Sequence, residues 1–309
     1  MNNKIQGIQL VITDLDNTLY DWYAWFIPAF YAMVDAASNI LDVDKETLLD
    51  ELKSVHVRYH NSEQPFAILE TPTVERKLPK ATRLERKQFL DRAFDAFRQE
   101  RNQNLRLFPG VRDSLREIRK TGCSIVGHTE AVLENGLYRL ELLNLIEEFH
   151  RLYAPASRSN GHPDPARPRI EERYSGFVSI LPVNHRKPDP IVLKEICESF
   201  KVRPDRALYI GDSMTRDISM AILANTHSAF AAYGGKCPRD MWRKLVRVTH
   251  WTDEDVSREE RLREEFAGLE PDVELNSFSD VMRYFEFESN PANKGVQARA
   301  GEPALSLDR

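Results

Sequence analysis

Apolar residues along this chain fall into short runs separated by stretches of helical periodicity. Five runs read as strands: residues 8–12, 123–127, 149–153, 207–210 and 227–231. Between most of them, apolar positions recur every three or four residues. Residues 111–121 align Val111, Leu115 and Ile118, and residues 131–145 align Leu133, Leu137, Leu140 and Leu143. Residues 189–200 and 215–224 read alike. Strands alternating with helices predict a doubly wound, mostly parallel sheet.

Two intervals break the alternation. Residues 20–107 carry little strand pattern and contain three candidate helices, 22–41, 45–59 and 84–100, with Pro65, Pro72 and Pro79 between the last two. The turn Phe108-Pro109-Gly110 then re-enters the sheet domain. A helical domain inserted after the first strand is expected. Residues 155–182 crowd Pro, Arg, Ser and Gly, and predict a long surface loop. Beyond Gly235, residues 239–244, 254–266 and 278–287 read as helices and 246–251 as a strand. The polar end, without aromatic residues from about Ser289, predicts a disordered tail.

Composition narrows the class. The chain has 309 residues, 41% hydrophobic and 29% charged, with a net charge of -5. That balance is ordinary for a globular protein and gives no reason to expect nucleic-acid binding, which wants a basic face. Cys123, Cys197 and Cys237 are few, odd in number and widely spaced, which suits a reducing cytoplasm. The opening residues lack the apolar core of a signal peptide. Residues 24–37 form the most apolar stretch, but Asp35 and its short length predict a buried helix rather than a membrane span.

The candidate chemistry begins at Asp14-Leu15-Asp16-Asn17-Thr18, directly behind the first apolar run. Residues leaving a parallel sheet at its carboxyl end lie where open α/β sheets bind ligands. Residues i and i+2 of a strand share a side, so both carboxylates face one cleft if the strand continues. Like charges that close need a proton or a cation between them. The pair therefore predicts a metal site, a nucleophile with an acid/base partner, or both.

Three further segments extend this pattern. They are the apolar run 123–127 ending at His128-Thr129, the segment Lys187-Pro188-Asp189-Pro190, and Tyr209-Ile210-Gly211-Asp212 followed by Asp217. Together the four segments, in this order, resemble the haloacid dehalogenase-like hydrolase superfamily over roughly half the chain. The resemblance implies a Rossmann-like core at residues 1–19 and 108–235, and a helical cap at 20–107. It leaves an extension at 236–287, on or near the core, and the tail at 288–309.

The resemblance also implies roles. Asp14 is the nucleophile, forming an aspartyl-phosphate that divides one hard step into two. Asp16 is the general acid and then the general base, and its backbone carbonyl joins Asp14 and Asp212 as a ligand to Mg2+. Thr18 supports the turn. Thr129 and the backbone amides after it bind phosphate at a helix start. Lys187 balances the charge of phosphate and Asp14. Asp217 positions Lys187 or a metal-bound water, or reaches the metal itself.

Within the superfamily, the dehalogenase branch lacks an acid at the position of Asp16, having no leaving oxygen to protonate. The resemblance thus implies a magnesium-dependent phosphatase acting on a small phosphate ester of nucleotide, sugar-phosphate or phosphoglycolate type. The alternatives are a member of another reaction type, a phosphomutase or a dehalogenase, and a non-catalytic binding or assembly member. Neither a nucleic-acid nor a membrane partner is expected, and the sequence leaves the oligomeric state open.

Overall fold

The structure, a computed structural model, describes residues 4–157, 161–166 and 170–293. The strands are β1 (Ile5–Ile8), β2 (Leu10–Thr13), β3 (Ser124–His128), β4 (Arg151–Pro155), β5 (Val178–Leu181), β6 (Ala207–Gly211), β7 (His227–Ala231), β8 (Val273–Leu275) and β9 (Phe285–Phe287). Among the described residues, seven form one parallel sheet in the order β5-β4-β3-β2-β6-β7-β8, with β2 central. Residues of β2 alternate between two cores. Val11 packs into the larger one, and Leu10 and Ile12 into the smaller one on the opposite face. Burial on both faces explains the unbroken apolar run in the sequence.

The insertion after β2 is helical. It comprises α1 (Trp22–Leu41), α2 (Lys45–Tyr59), α3 (Pro72–Lys77), α4 (Arg83–Phe89) and α5 (Asp91–Asn104). The expected helix at 84–100 is two helices, broken at Leu90. Asp21 caps α1 by accepting from the Ala24 amide at 2.9 Å. Helix α1 is longer than the expected apolar run, and long and apolar enough to cross a bilayer. Half of its most apolar window is buried within the fold. Tyr20 and Leu107, the two ends of the insertion, bridge each other, so both linkers leave the core side by side.

The remaining helices are α6 (Val111–Lys120), α7 (Leu133–Leu142), α8 (Ile170–Arg173), α9 (Pro190–Ser199), α10 (Ser219–Ala224), α11 (Arg239–Val248), α12 (Asp253–Glu265) and α13 (Val281–Tyr284).

Several expectations need correction. The single first strand is two, because β1 leaves the sheet to pair with β9. The expected loop at 155–182 contains α8 and the edge strand β5; its residues 158–160 and 167–169 lie outside the described residues. The expected strand at 246–251 begins inside helix α11, whose Leu245 and Val248 are buried one turn apart, so packing overrides β-branched propensity. The expected helix at 278–287 is a turn, one helical turn and β9. There Phe285 and Phe287 are buried around exposed Glu286, a two-residue period. A tail starting at 288 starts too early. Buried Asn290 donates to Ser124 Oγ at 2.8 Å and to the Phe200 carbonyl at 3.1 Å. Residues 294–309 lie outside the described residues.

The extension is interposed between β7 and β8 and touches both the cap and the cleft. His56 of α2 contacts the Val248 carbonyl at 2.7 Å, Ser62 contacts His250 at 2.9 Å, and Tyr31 donates to the Lys244 carbonyl at 3.0 Å. Arg258 of α12 donates to the Lys187 carbonyl at 2.6 Å.

Candidate active site

Asp14, Thr129 and Asp212 follow β2, β3 and β6, three neighbouring strands, and so share one carboxyl edge of the sheet. Strand β2 ends at Thr13, and the chain turns at Asn17 with φ 57°. Asn is one of the few non-glycine side chains that tolerates this left-handed conformation. It is this turn, rather than a continued strand, that sets Asp14 and Asp16 at the cleft. Their side chains take different partners. Asp14 Oδ1 accepts from Lys187 Nζ at 2.5 Å, while Asp16 Oδ1 accepts from Arg139 Nη1 at 2.5 Å. Thr18 does more than support the turn: its hydroxyl points to Asp14 Oδ2 at 3.4 Å, and its carbonyl accepts from Tyr233 at 2.7 Å.

Lys187 lies just before the first turn of α9 and is buried. Its ammonium bridges Asp14 and Asp217, the latter at 2.9 Å. Burial alone would favour the neutral amine, but the two carboxylates outweigh it and hold the ammonium well above its ordinary pKa. Both oxygens of Asp217 are engaged. Its Oδ1 also faces the Tyr209 hydroxyl at 3.3 Å, and its Oδ2 accepts from the Ser213 amide at 3.0 Å. It sits on a π-helical turn, Met214–Ile218, directly above Gly211. A Cβ on Gly211 would lie 2.4 Å from the Asp217 carboxyl, so a glycine is required there.

One oxygen from each of Asp14, Asp212 and Asp217 falls within 4.8 Å of the others. Burial pushes the Asp14 carboxyl well above the usual range; Lys187 opposes this, and Asp217, Asp212 and Asp16 reinforce it. Burial, then Asp217, pushes Asp212 up to about 7. Three acids around one ammonium leave an excess of negative charge, and their donors are all hard oxygens. That chemistry fits a divalent cation such as Mg2+. The bonds already made by Asp217 suit it to bracing Lys187 rather than to ligation, while Asp14 and Asp212 keep oxygens for a metal.

Thr129 is buried after β3, but helix α7 starts only at Leu133. Its hydroxyl accepts from the Ala131 amide at 3.0 Å, closing a turn ahead of the helix rather than capping it. Glu130 accepts from the Lys187 amide at 3.0 Å and from Arg216 at 3.2 Å, tying this turn to the other two loops. Behind Lys187, His128 lies within 3.0 Å of His185 and 3.3 Å of the Tyr209 hydroxyl. Burial, then Lys187 and His185, holds His128 well below its ordinary pKa, so it is a neutral hydrogen-bonding group.

Sequence reasoning missed Arg139 and Glu63. Arg139 lies between Leu137 and Leu140 on α7 and is buried. Only its position between two buried apolar neighbours hinted at this. Glu63 lies in an irregular cap loop that carries no pattern at all.

A profile of haloacid dehalogenase-like hydrolases matches residues 8–225. No curated protein matches the sequence. Among solved structures, the fold is similar to the 2-haloacid dehalogenase of Pseudomonas syringae pv. Tomato DC3000, with a TM-score of 0.54 and 21% identity over 90% of this chain and 97% of that one. It is also similar to a HAD phosphatase from Thermococcus onnurineus, with a TM-score of 0.51 and 15% identity over 91% of this chain and 100% of that one. Likenesses at these identities speak to the fold and not to the reaction.

Proposed function

The chain belongs to the haloacid dehalogenase-like hydrolases, and on that premise we propose that it is a magnesium-dependent phosphatase. Its substrate is a small phosphorylated metabolite of the nucleotide, sugar-phosphate or phosphoglycolate class. The observation that carries this reading is the division of labour between the two acids. Asp14 is paired with the buried Lys187, and Asp16 lies apart from it with its own cation. The first environment suits a nucleophile; the second keeps Asp16 separate from it and sets the Arg139 charge beside the carboxylate that takes a proton from water in the second step.

In the first step an Asp14 oxygen attacks phosphorus, the bond from phosphorus to the ester oxygen breaks, and Asp16 gives its proton to the departing alkoxide. In the second, Asp16 takes a proton from water as that water attacks the aspartyl-phosphate, which releases inorganic phosphate and restores Asp14. Lys187 neutralises the negative charge gathered on phosphate and Asp14, and Asp217 and Tyr209 hold it in place. Thr129 and Glu130 shape the loop that faces the phosphate. Mg2+, when held by Asp14, Asp212 and the Asp16 carbonyl, supplies charge neutralisation to carboxylates and phosphate oxygens alike. The cap lies over the cleft and limits it to small substrates.

Hydrolysis of an aryl phosphate and of a panel of phosphorylated metabolites, with and without Mg2+, tests the reading. Metal-dependent turnover is expected, and Asp14→Asn should abolish it in a protein that remains folded. Release of halide from a 2-chloro acid, with no turnover of any phosphate ester, would overturn it.

A further inference from the structure

Arg139 carries one guanidinium between two carboxylates that belong to different parts of the molecule. From α7 in the core, Nη1 donates to Asp16 at 2.5 Å and approaches the Tyr20 hydroxyl at 3.4 Å. Nη2 donates to Glu63, which the cap extends into the cleft from the loop after α2. Glu63 is held by further donors: the Trp22 indole on one oxygen, and Asn135 on the other at 3.0 Å. Asn135 also donates to the Glu63 carbonyl at 3.0 Å. The guanidinium is capped by the Trp25 ring at 5.1 Å. On its outer side the same cap loop is fastened to the extension, where Ser62 accepts from the His250 amide at 2.9 Å.

We propose that Arg139 is a positioning residue that latches the cap to the acid/base. Docking of Glu63 and the working orientation of Asp16 are then a single state. The planar fork of arginine presents a separate nitrogen to each carboxylate at a fixed spacing, Nη1 to Asp16 and Nη2 to Glu63, a geometry that the single nitrogen of a lysine does not reproduce here. A triad of this kind adds little net stability over apolar packing, whereas separating its members leaves a bare charge in a buried place. The contact is therefore close to all-or-none, as a latch must be. The proposal rests on the phosphatase reading only for the role of Asp16.

Two measurements on the full-length protein test it, with Glu63→Gln, Glu63→Asp and Arg139→Lys as variants. Hydrogen exchange reads the latch without any catalysis. Amides 60–64 should exchange about tenfold faster or more in Glu63→Gln and Arg139→Lys, with β2 and β3 unchanged. Kinetics on an aryl phosphate read its consequence. In both variants kcat should fall about tenfold or more while KM moves less than about threefold, and Glu63→Asp should recover part of the loss. Unchanged exchange at 60–64 would overturn the proposal, as would an increase spread equally through the sheet, which marks a purely structural pair. If the wild-type protein turns over no phosphate ester, the phosphatase reading falls, while the exchange comparison still decides the latch.

Discussion

Replacing Asp212 by Asn should make the metal-free protein more stable and, at the same time, blind to magnesium. Asp212 enters the fold from an ordinary pKa of 3.8 and is pushed up to about 7 by burial and by Asp217. An acid whose folded pKa is raised destabilises the fold as pH rises above its unfolded value, and the cost levels off above the folded one. The interval from 3.8 to about 7 corresponds to about 4 kcal/mol at full effect. Asp212 is only partly buried, and water screens part of that cost, so about 2 kcal/mol is the working figure. Urea unfolding at pH 8 in EDTA should therefore place Asp212→Asn about 2 kcal/mol above the wild type, with the difference vanishing towards pH 4. Magnesium should reverse the order. At a hundredfold excess over Kd it should add about 2.7 kcal/mol to the wild type and much less to the variant. A variant no more stable than the wild type in EDTA, or one stabilised equally by Mg2+, would refute both the charge accounting and the assignment of Asp212 as a ligand.

Two other perturbations follow from the same geometry. Gly211→Ala would set a Cβ 2.4 Å from the Asp217 carboxyl, so Asp217 must move and release Lys187; a loss of about 1–3 kcal/mol in urea unfolding is expected and, on the proposed function, a loss of most turnover of an aryl phosphate. Wild-type stability in that variant would mean that the close approach relaxes freely. Burial lowers His56 from 6.5 to about 4, so its contribution is intact above pH 6.5 and is lost as pH falls towards 4. Between pH 8 and pH 5 that amounts to about 2 kcal/mol. His56→Leu should flatten this part of the pH dependence of unfolding, and an undiminished slope would exclude His56 as its source.

The sequence by itself determined what is local. Helical periodicity marked α1 and α2 to the residue, because their apolar stripes and capping residues lie within one segment. Apolar runs marked β2, β3 and β6, and the acids and threonine behind them were legible because a parallel strand delivers its next residues to one edge. Short edge elements escaped: β5 sits in a proline-rich interval, and β8 is three residues long, too short for a period to show. Only the tertiary structure decided who meets whom. Lys187 reaches Asp14 across 173 positions, and Arg139 reaches Asp16 across 123 and Glu63 across 76. Helix α11, with its β-branched tail, is helical because its Leu245 and Val248 are buried against the rest of the fold. A charge in the sequence carries no mark of its partner. Desolvation and pairing arise only when the sheet has closed, and they turn Arg139, an ordinary surface residue by pattern, into the most deeply committed cation beside Asp16.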